Sequence, residues 1–277
     1  METEEIYNTV LMALKSANQR FTLLGKKGLE EVKKNKFGDT SLLGDIECEK
    51  AVLEMLDNLP ISVHSEEHGE VFIGDAPKLL GTLDGIDGTS VYKTNRIFGR
   101  YATMLGIYKG TNPTYDDYVA GGVMEHASGM IFLAGKGMGT TAYKDEKSAS
   151  TKTTGSKRHT GLSKICLDDH FQITRDTFFP ITGKDGYYNS GSSAELYVRV
   201  ANGEADLTLE CTRKGNLEFG AAYPLIIEAG GAMVDLQGKS LGPKKFLEFG
   251  QQEHLPVITA ATDDLAQHVL EKLKGKK

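Results

Sequence analysis

Residues 79–90 read Leu79-Leu-Gly-Thr-Leu-Asp84-Gly-Ile-Asp87-Gly-Thr89-Ser90, and this stretch decides the fold. Its apolar start predicts a strand, which runs into two aspartates three residues apart and then into glycine and threonine. Asp84, Asp87 and the carbonyl of Ile86 would supply oxygen ligands from one short turn, which suits Mg²⁺. The alternative is an Asx turn that binds nothing, because Asp and Gly are common turn formers.

The spacing of these acids excludes two other metal motifs. An EF-hand loop that starts at Asp84 would need oxygen ligands at its third and fifth positions, which are Ile86 and Gly88. The motif of haloacid-dehalogenase-type phosphatases needs aspartates two positions apart, whereas Asp84 and Asp87 are three apart. Neither motif fits this chain.

Two further acidic segments flank this stretch along the chain. Glu66 and Glu67 follow a predicted strand, and pairing of that strand with the one at 79–83 would bring Glu66 beside Asp84. Glu218 lies in the first turn of a predicted, largely apolar helix. An acid there can also serve only to complement the helix dipole, which contributes about 0.3–1 kcal/mol.

The rest of the chain alternates helical and extended patterns, which predicts an α/β protein. Residues 25–40 are rich in lysine and glycine, and they form either a solvated connection or a mobile basic lid. Residues 144–160 lack Leu, Ile, Val and Phe and are interpreted as a surface loop that separates an N-terminal half, 1–150, from a C-terminal half, 151–277. Helices are predicted at 4–24, 45–57, 192–201, 217–229 and 263–273, and strands at 61–64, 79–83, 102–108, 119–124, 130–134, 162–167, 205–209, 232–235 and 256–260.

Composition limits the compartment and the partners. The 277 residues include 32 Lys and Arg against 38 Asp and Glu, a net charge of −6, which argues against a nucleic acid polymer as partner. Three cysteines without a Cys-x-x-Cys spacing fit a reducing, cytoplasmic location. The acidic start and the lack of an apolar run of about 20 residues predict neither a signal peptide nor a membrane association.

Together the three acidic segments resemble the inositol monophosphatase and fructose-1,6-bisphosphatase superfamily of magnesium-dependent, lithium-sensitive phosphomonoesterases. The family's Glu-Glu pair matches Glu66-Glu67, and its Asp-Pro-Ile/Leu-Asp-Gly-Thr/Ser motif matches residues 84–89. Its Trp-Asp motif, followed ten positions later by Glu-Ala-Gly-Gly, matches Glu218 and residues 228–231. Residues 191–194, Gly-Ser-Ser-Ala, look like the family's substrate loop. The resemblance implies a layered α/β/α/β/α sandwich, with the metal motifs in the N-terminal half.

The resemblance also implies two to three Mg²⁺ ions in each active site. Glu66, Asp84 and the Ile86 carbonyl would hold the first ion. Asp84, Asp87 and Glu218 would hold the second, and a third, weaker ion would lie near Glu66.

By the same resemblance, Thr89 would orient the water that attacks phosphorus, with Glu66 and Asp45 as proton acceptors. A simple N-cap is the alternative role for Thr89. Gly88 and Thr89 would also begin a helix whose N–H groups face the phosphate. Gly191, Ser192, Ser193, Ala194 and Glu210 would line the leaving-group side, although Glu210 could instead be an exposed acid at a strand end.

The expected substrate is a phosphorylated polyol or sugar, and the family's members are often homo-oligomers. Myo-inositol monophosphate and fructose 1,6-bisphosphate are the leading candidates, and a 3′-phosphoadenosine nucleotide is a third. Gly85 in place of the family's proline should loosen the metal turn, and Leu217-Glu218 replaces Trp-Asp. These departures leave open a catalytically inactive relative that binds metal or phosphate.

Overall fold

The computed structural model describes residues 2–183, 186–213 and 215–275. The described part of the chain contains the α-helices α1 Thr3–Leu24, α2 Leu43–Met55, α3 Thr89–Thr94, α4 Gln172–Thr182, α5 Ser193–Ala201, α6 Leu217–Glu228 and α7 Asp263–Lys274. Its strands are β1 Glu31–Lys34, β2 Thr40–Leu42, β3 Ile61–Ser65, β4 Gly69–Ile73, β5 Leu79–Asp87, β6 Ala102–Lys109, β7 Tyr118–Glu125, β8 Met130–Gly135, β9 Gly139–Lys144, β10 Lys147–Thr151, β11 Ile165–Leu167, β12 Leu207–Cys211, β13 Ala232–Asp235 and β14 Pro256–Ala260.

Two sheets form the body of the fold, and β1 and β2 pair in a separate two-stranded sheet. The larger described sheet has the strand order β10-β9-β8-β7-β6-β5-β3-β4, and the smaller has the order β11-β12-β14-β13. Helices α1 and α2 pack on one face of the larger sheet, and α6 packs on its other face. Helices α4 and α7 cover the smaller sheet, against which α5 also packs. The predicted layered α/β/α/β/α sandwich is therefore confirmed.

Apolar periodicity explains which helix lies in which layer. The predicted stripe of α1 is buried against the larger sheet from Ile6 to Phe21. Helix α6 is apolar on nearly all sides and lies between the two sheets, where almost every one of its residues is buried. Helix α7 buries only one face, as expected of an outer layer. The core cluster around α5 and α6 joins residues from Leu80 to Val257, so both parts of the chain contribute to it.

Several predicted boundaries were wrong, each for a physical reason. The strand predicted at 79–83 continues to Asp87, because the acids belong to the buried strand itself. The predicted loop at 144–160 contains β10, an edge strand whose exposed side chains leave no apolar alternation to recognise. The strand predicted from Leu162 begins at Ile165, and Leu162 is 92% exposed.

Within the ranges that the structure describes, no helix is both long enough and apolar enough to cross a membrane. The division into halves at 150/151 stays a prediction.

Candidate active site

The order of the strands brings the first two acidic segments together. Strand β3 runs parallel to β5, with Ser65 opposite Leu83. The next residue, Glu66, donates its backbone N–H to the Leu83 carbonyl at 3.1 Å. Glu66 is therefore carried to the end of β5, beside Asp84, as the strand pairing predicted.

An irregularity in β5 explains how two acids three residues apart can serve one site. Asp84 pairs with Met104 and Asp87 with Ala102, so β5 holds one more residue than β6 across this interval. In an unbroken strand, residues three apart point to opposite faces, and the extra residue removes that restriction. Ligand oxygens of Asp84, Asp87 and Glu218 lie within 4.8 Å of one another.

Burial and mutual repulsion dominate the electrostatics of this cluster. Burial, followed by repulsion from neighbouring carboxylates, raises the pKa of Glu66 and of Asp84 well above their ordinary values. Burial and Glu218 raise the pKa of Asp87 to about 6. Among the described residues, the buried Oδ1 of Asp84 has no hydrogen-bond partner. Converging carboxylates with an unpaired oxygen at their centre fit a hard cation, whose positive charge would relieve the repulsion.

Thr89 and Asp45 meet at one edge of the cluster. The Thr89 hydroxyl donates to the Ile86 carbonyl at 2.9 Å and lies 3.3 Å from Oδ1 of Asp45. Oδ2 of Asp45 accepts the backbone N–H of Leu42 at 2.7 Å, which caps α2. Burial raises the pKa of Asp45 to about 7. Thr89 is the first residue of α3 and makes no capping bond, so the N-cap interpretation of Thr89 is wrong.

The backbone conformation of the residue before Thr89 requires glycine at that position. Gly88 has a φ of 85°, in the left-handed region that favours glycine. A Cβ atom there would also come within 2.8 Å of the Ser192 side chain. The turn between β5 and α3 therefore approaches residues 191–194 closely.

Residues 191–194 contact the cluster directly. The Ser192 hydroxyl and the backbone N–H of Ala194 both donate to Oδ2 of Asp87, the latter at 2.8 Å. Gly191, Ser192 and Ser193 line a cavity of about 760 Å³ that also contains the acids of the cluster. These three residues form one wall of the cavity. Ala194 lies behind that wall, and a direct contact between Ala194 and the substrate stays a prediction.

Glu210 lies on β12 behind the same wall. Its side chain is buried, which rules out the alternative of an exposed acid at a strand end. One carboxylate oxygen accepts the Ser193 hydroxyl at 3.2 Å, and among the described residues the other has no partner. Burial raises the pKa of Glu210 to about 8.

The sequence interpretation missed Glu49, which supports the Glu-Glu pair from behind. Its fully buried carboxylate accepts the backbone N–H of Glu66 at 3.0 Å and that of Glu67 at 3.1 Å. It also bonds to the Nδ1 atom of His68 at 2.7 Å. The available signal was the spacing of Asp45 and Glu49, four apart and hence on one face of α2.

Arg213 and Asp168 were also missed. Both line the cavity, where the Arg213 guanidinium pairs with Asp168 and lies 3.9 Å from Oε1 of Glu218. Although burial opposes it, the carboxylates of Glu218 and Asp168 raise the pKa of Arg213. The two residues are 45 positions apart, and no local sequence pattern predicts their contact.

The lysine-rich segment at 25–40 contains β1 and the first residue of β2, which pair as a hairpin, and Asn35, Phe37, Asp39 and Thr40 line the cavity. Asn35 donates to Oε1 of Glu66 at 3.0 Å, and the Lys33 ammonium donates to the Glu67 carbonyl at 2.7 Å. The segment is therefore anchored to the site and is more than a solvated connection. Its motion as a lid stays a prediction.

His64, His68 and His126 each have a partner within the protein. His64 lies near Glu70, and His68 bonds to Glu49. The ring of His126 bonds to Thr103 at 2.9 Å and to Asn18, and burial lowers its pKa to about 3.

The packing around position 85 explains why this residue is glycine, which the resemblance did not. Its carbonyl accepts the Thr103 hydroxyl at 2.6 Å, and the predicted loosening of the turn stays a prediction. A Cβ atom at Gly85 would come within 2.2 Å of the Asp45 carbonyl oxygen. Glycine thus allows the backbone of α2 to pack directly against β5.

Gly85→Ala is expected to lower the free energy of unfolding by about 1–3 kcal/mol, because overpacking forces α2 away from β5. Chemical denaturation with and without the substitution measures this change. Gly161→Ala is the matched control, since nothing lies within 4 Å of a Cβ atom at exposed Gly161. Equal stability of the two variants would contradict the close-packing argument.

The chain is similar to known proteins over most of its length. A model of the inositol monophosphatase family matches residues 3–274. A curated relative from Methanothermobacter thermautotrophicus, named fructose-1,6-bisphosphatase/inositol-1-monophosphatase, is 27% identical over 248 residues, which are 84% of this chain and 86% of the relative. An inositol monophosphatase from Zymomonas mobilis superposes with a TM-score of 0.72 at 18% identity, covering 98% of each chain. The extragenic suppressor protein suhB from Bartonella henselae gives 0.75 at 19% identity, covering 96% of this chain and 97% of its own.

Proposed function

Since this chain belongs to the inositol monophosphatase family, we propose that it hydrolyses a phosphate monoester of a polyol or sugar in a magnesium-dependent reaction. The observation that carries the proposal is the buried cluster of Asp84, Asp87 and Glu218, with ligand oxygens within 4.8 Å of one another. Two of these carboxylates are buried and the third is partly buried, so they repel one another, and a bound cation would offset that repulsion.

Three of the five ligands in the proposal, Asp84, Asp87 and Glu218, have oxygens within 4.8 Å of one another, which supports the assignment. Glu66, Asp84 and the Ile86 carbonyl would hold one ion, and Asp84, Asp87 and Glu218 a second. When bound, such ions neutralise phosphate oxygens and make a nearby water more acidic. Two or three Mg²⁺ ions, and the sensitivity to Li⁺ that accompanies them in the family, belong to the proposal.

The protein's own groups would then handle the proton. The Thr89 hydroxyl lies within reach of Asp45, and its oxygen can hold a water in line with the ester. With a pKa of about 7, Asp45 can accept a proton near neutral pH and release it again. Glu66 is the second acceptor of the proposal, and the contact from Asn35 fixes one of its oxygens.

The alcohol part of the substrate would contact the wall of the cavity beside Asp87. Ser192 and Ala194 hold Asp87 in place, so the wall and the metal ligands keep a fixed relation. Ser193, backed by Glu210, presents a polar surface suited to hydroxyl groups. Such a surface fits a polyol or sugar.

The test is phosphate release from a panel of inositol, sugar and nucleotide phosphates, with Mg²⁺ or with a chelator. We expect release from a polyol or sugar monophosphate that depends on Mg²⁺ and is inhibited by Li⁺. Absence of turnover on the whole panel would instead support the inactive metal- or phosphate-binding relative. Turnover of the nucleotide alone would support the 3′-phosphatase.

Fructose-1,6-bisphosphatase activity is the second candidate, favoured by the name of the Methanothermobacter relative, which includes both activities. Because identity to that relative is 27%, the panel must contain fructose 1,6-bisphosphate beside inositol 1-phosphate. We also propose a cytoplasmic location and a small-molecule substrate, with a homo-oligomer as the expected assembly. Size-exclusion chromatography with light scattering tests the last point.

A further inference from the structure

The cavity that holds the metal ligands contains a second charged group, the pair of Asp168 and Arg213. Asp168 follows β11, and Arg213 follows β12, the neighbouring parallel strand. One terminal nitrogen of Arg213 bonds to Oδ2 of Asp168, and the other lies 3.9 Å from Oε1 of Glu218. Arg213 therefore reaches from the Asp168 wall to the edge of the metal cluster.

The guanidinium group of Arg213 is held from several sides. It lies over the ring of Phe171 at 5.7 Å, and Phe171 stacks on His254 at 4.1 Å. Among the described residues, its buried Nε atom has no hydrogen-bond partner. Leaving a buried donor unpaired costs about 1–3 kcal/mol, so the protein partners of Arg213 do not satisfy every donor of its guanidinium.

The charges around Arg213 decide which acceptor fits. Asp168 neutralises the guanidinium, and the adjacent Asp169 adds a negative charge whose oxygens accept from Tyr187 and Asn189, each at 2.6 Å. Among the described residues that line the cavity, the one other Lys or Arg is Lys93, which is paired with Glu31 at 3.0 Å. A hydroxyl group can accept from Arg213 at little cost. A second phosphate at this wall would face Asp168 and Asp169, and the guanidinium there is already paired with Asp168.

We propose, on the basis of the proposed function, that the Asp168–Arg213 pair determines specificity, selecting phosphate monoesters with an uncharged alcohol part over bisphosphates. Asp168 acts as the rejecting element because it occupies the guanidinium that would otherwise bind a second phosphate in a bidentate manner. In the native protein this wall of the cavity suits hydroxyl groups. Removal of the Asp168 charge leaves the Arg213 guanidinium free to bind an anion.

The experiment compares fructose 1-phosphate with fructose 1,6-bisphosphate, which differ only in the second phosphate. In Asp168→Asn we expect the ratio of kcat/KM for the bisphosphate to that for the monophosphate to rise about tenfold, as one charge-assisted bond allows. The change should lie in KM for the bisphosphate, with kcat nearly unchanged. Adding Arg213→Gln to Asp168→Asn should remove the gain.

Asp169→Asn is the matched control, because it removes the same formal charge from the same wall and leaves the Arg213 pair intact. We expect this variant to change the ratio by about twofold or less, as a screened charge does. A rise of equal size in both variants, or in neither, would overturn the proposal.

A binding measurement separates this inference from the proposed function. Calorimetry with the two fructose phosphates is carried out with Ca²⁺, another hard, oxygen-binding cation, on the full-length protein. An inactive protein in which Asp168→Asn still strengthens bisphosphate binding selectively would refute the phosphatase and support the pair. An active protein whose substrate ratio and binding ratio both stay constant would refute the pair alone.

Discussion

Asp84→Asn is expected to abolish phosphate release and, at the same time, to stabilise the metal-free protein. Both effects have one cause, the cluster of carboxylates around Asp84. Its side chain is almost completely buried, and Glu66, Asp87 and Glu218 all raise its pKa by repulsion in addition to the effect of burial. In the proposed site, Asp84 is the one side chain shared by two metal ions.

The asparagine side chain has nearly the same shape but no charge. We expect kcat/KM to fall by about a thousandfold or more, because the positive charge that stabilises the transition state is no longer held in place. The new amide N–H groups can donate to the neighbouring carboxylates, so the buried, unpaired Oδ1 of the native protein is replaced by a satisfied group. This should raise the free energy of unfolding at pH 8 by about 1–3 kcal/mol.

Asp235→Asn is the control, because the same substitution there should have the opposite effects. Oδ1 of Asp235 accepts the N–H groups of Gln237 and Lys239, each at 2.9 Å, and Oδ2 pairs with Lys244 at 2.7 Å. Although burial opposes it, the bond from Lys244 lowers the pKa of Asp235. We expect this variant to be less stable and to keep its turnover.

Thermal unfolding in a chelator and phosphate release in Mg²⁺ measure the two effects for both variants. For a domain of this size, about 1 kcal/mol corresponds to a shift of roughly 2–4 °C in Tm. If Asp84→Asn lowered Tm as Asp235→Asn does, Asp84 would have to be held by partners other than a cation. If it retained turnover, the metal assignment would be wrong.

The parts of this site that could be predicted from the sequence are those whose residues lie close together along the chain. Asp84 and Asp87 share one turn with Ile86, and Glu218 stands at a fixed distance before the Glu228 segment, so pattern and resemblance together were sufficient. The position of Glu66 beside Asp84 could be predicted from the single assumption that two apolar strands are neighbours in the sheet. These strands, β3 and β5, are paired.

The parts that could not be predicted depend on packing between distant segments. Asp168 reaches Arg213 because β11 and β12 are neighbours, yet both are short and gave no signal about their ends. The close contact of Gly85 with the Asp45 carbonyl exists only once α2 has packed on β5, so it could not be predicted. Exposed elements such as β10 lack the apolar pattern from which strands are recognised.

Mg²⁺ is expected to stabilise the protein much more at pH 8 than at pH 5. The pKa values of Asp87 and Asp45 are raised to about 6 and about 7, and those of Glu66 and Asp84 also lie well above their ordinary values. An acid whose pKa is raised by folding binds more protons in the folded state than in the unfolded state. The stability of the metal-free protein therefore falls as the pH rises from about 4, the ordinary range of these acids, through their raised pKa values.

Mg²⁺ binds only the deprotonated carboxylates, so its effect must have the opposite pH dependence. At pH 8 a concentration of about 100 times Kd adds about 2.7 kcal/mol, or roughly 5–10 °C in Tm, whereas at pH 5 protons compete and the shift should be a small fraction of that. Differential scanning calorimetry with Mg²⁺, with a chelator and with KCl at matched ionic strength measures the difference. KCl screens charges without entering the cluster, so an equal rise in Tm with KCl would assign the effect to the net charge of −6. An equal shift in Tm with Mg²⁺ at both pH values would contradict a site built from Asp84, Asp87 and Glu218.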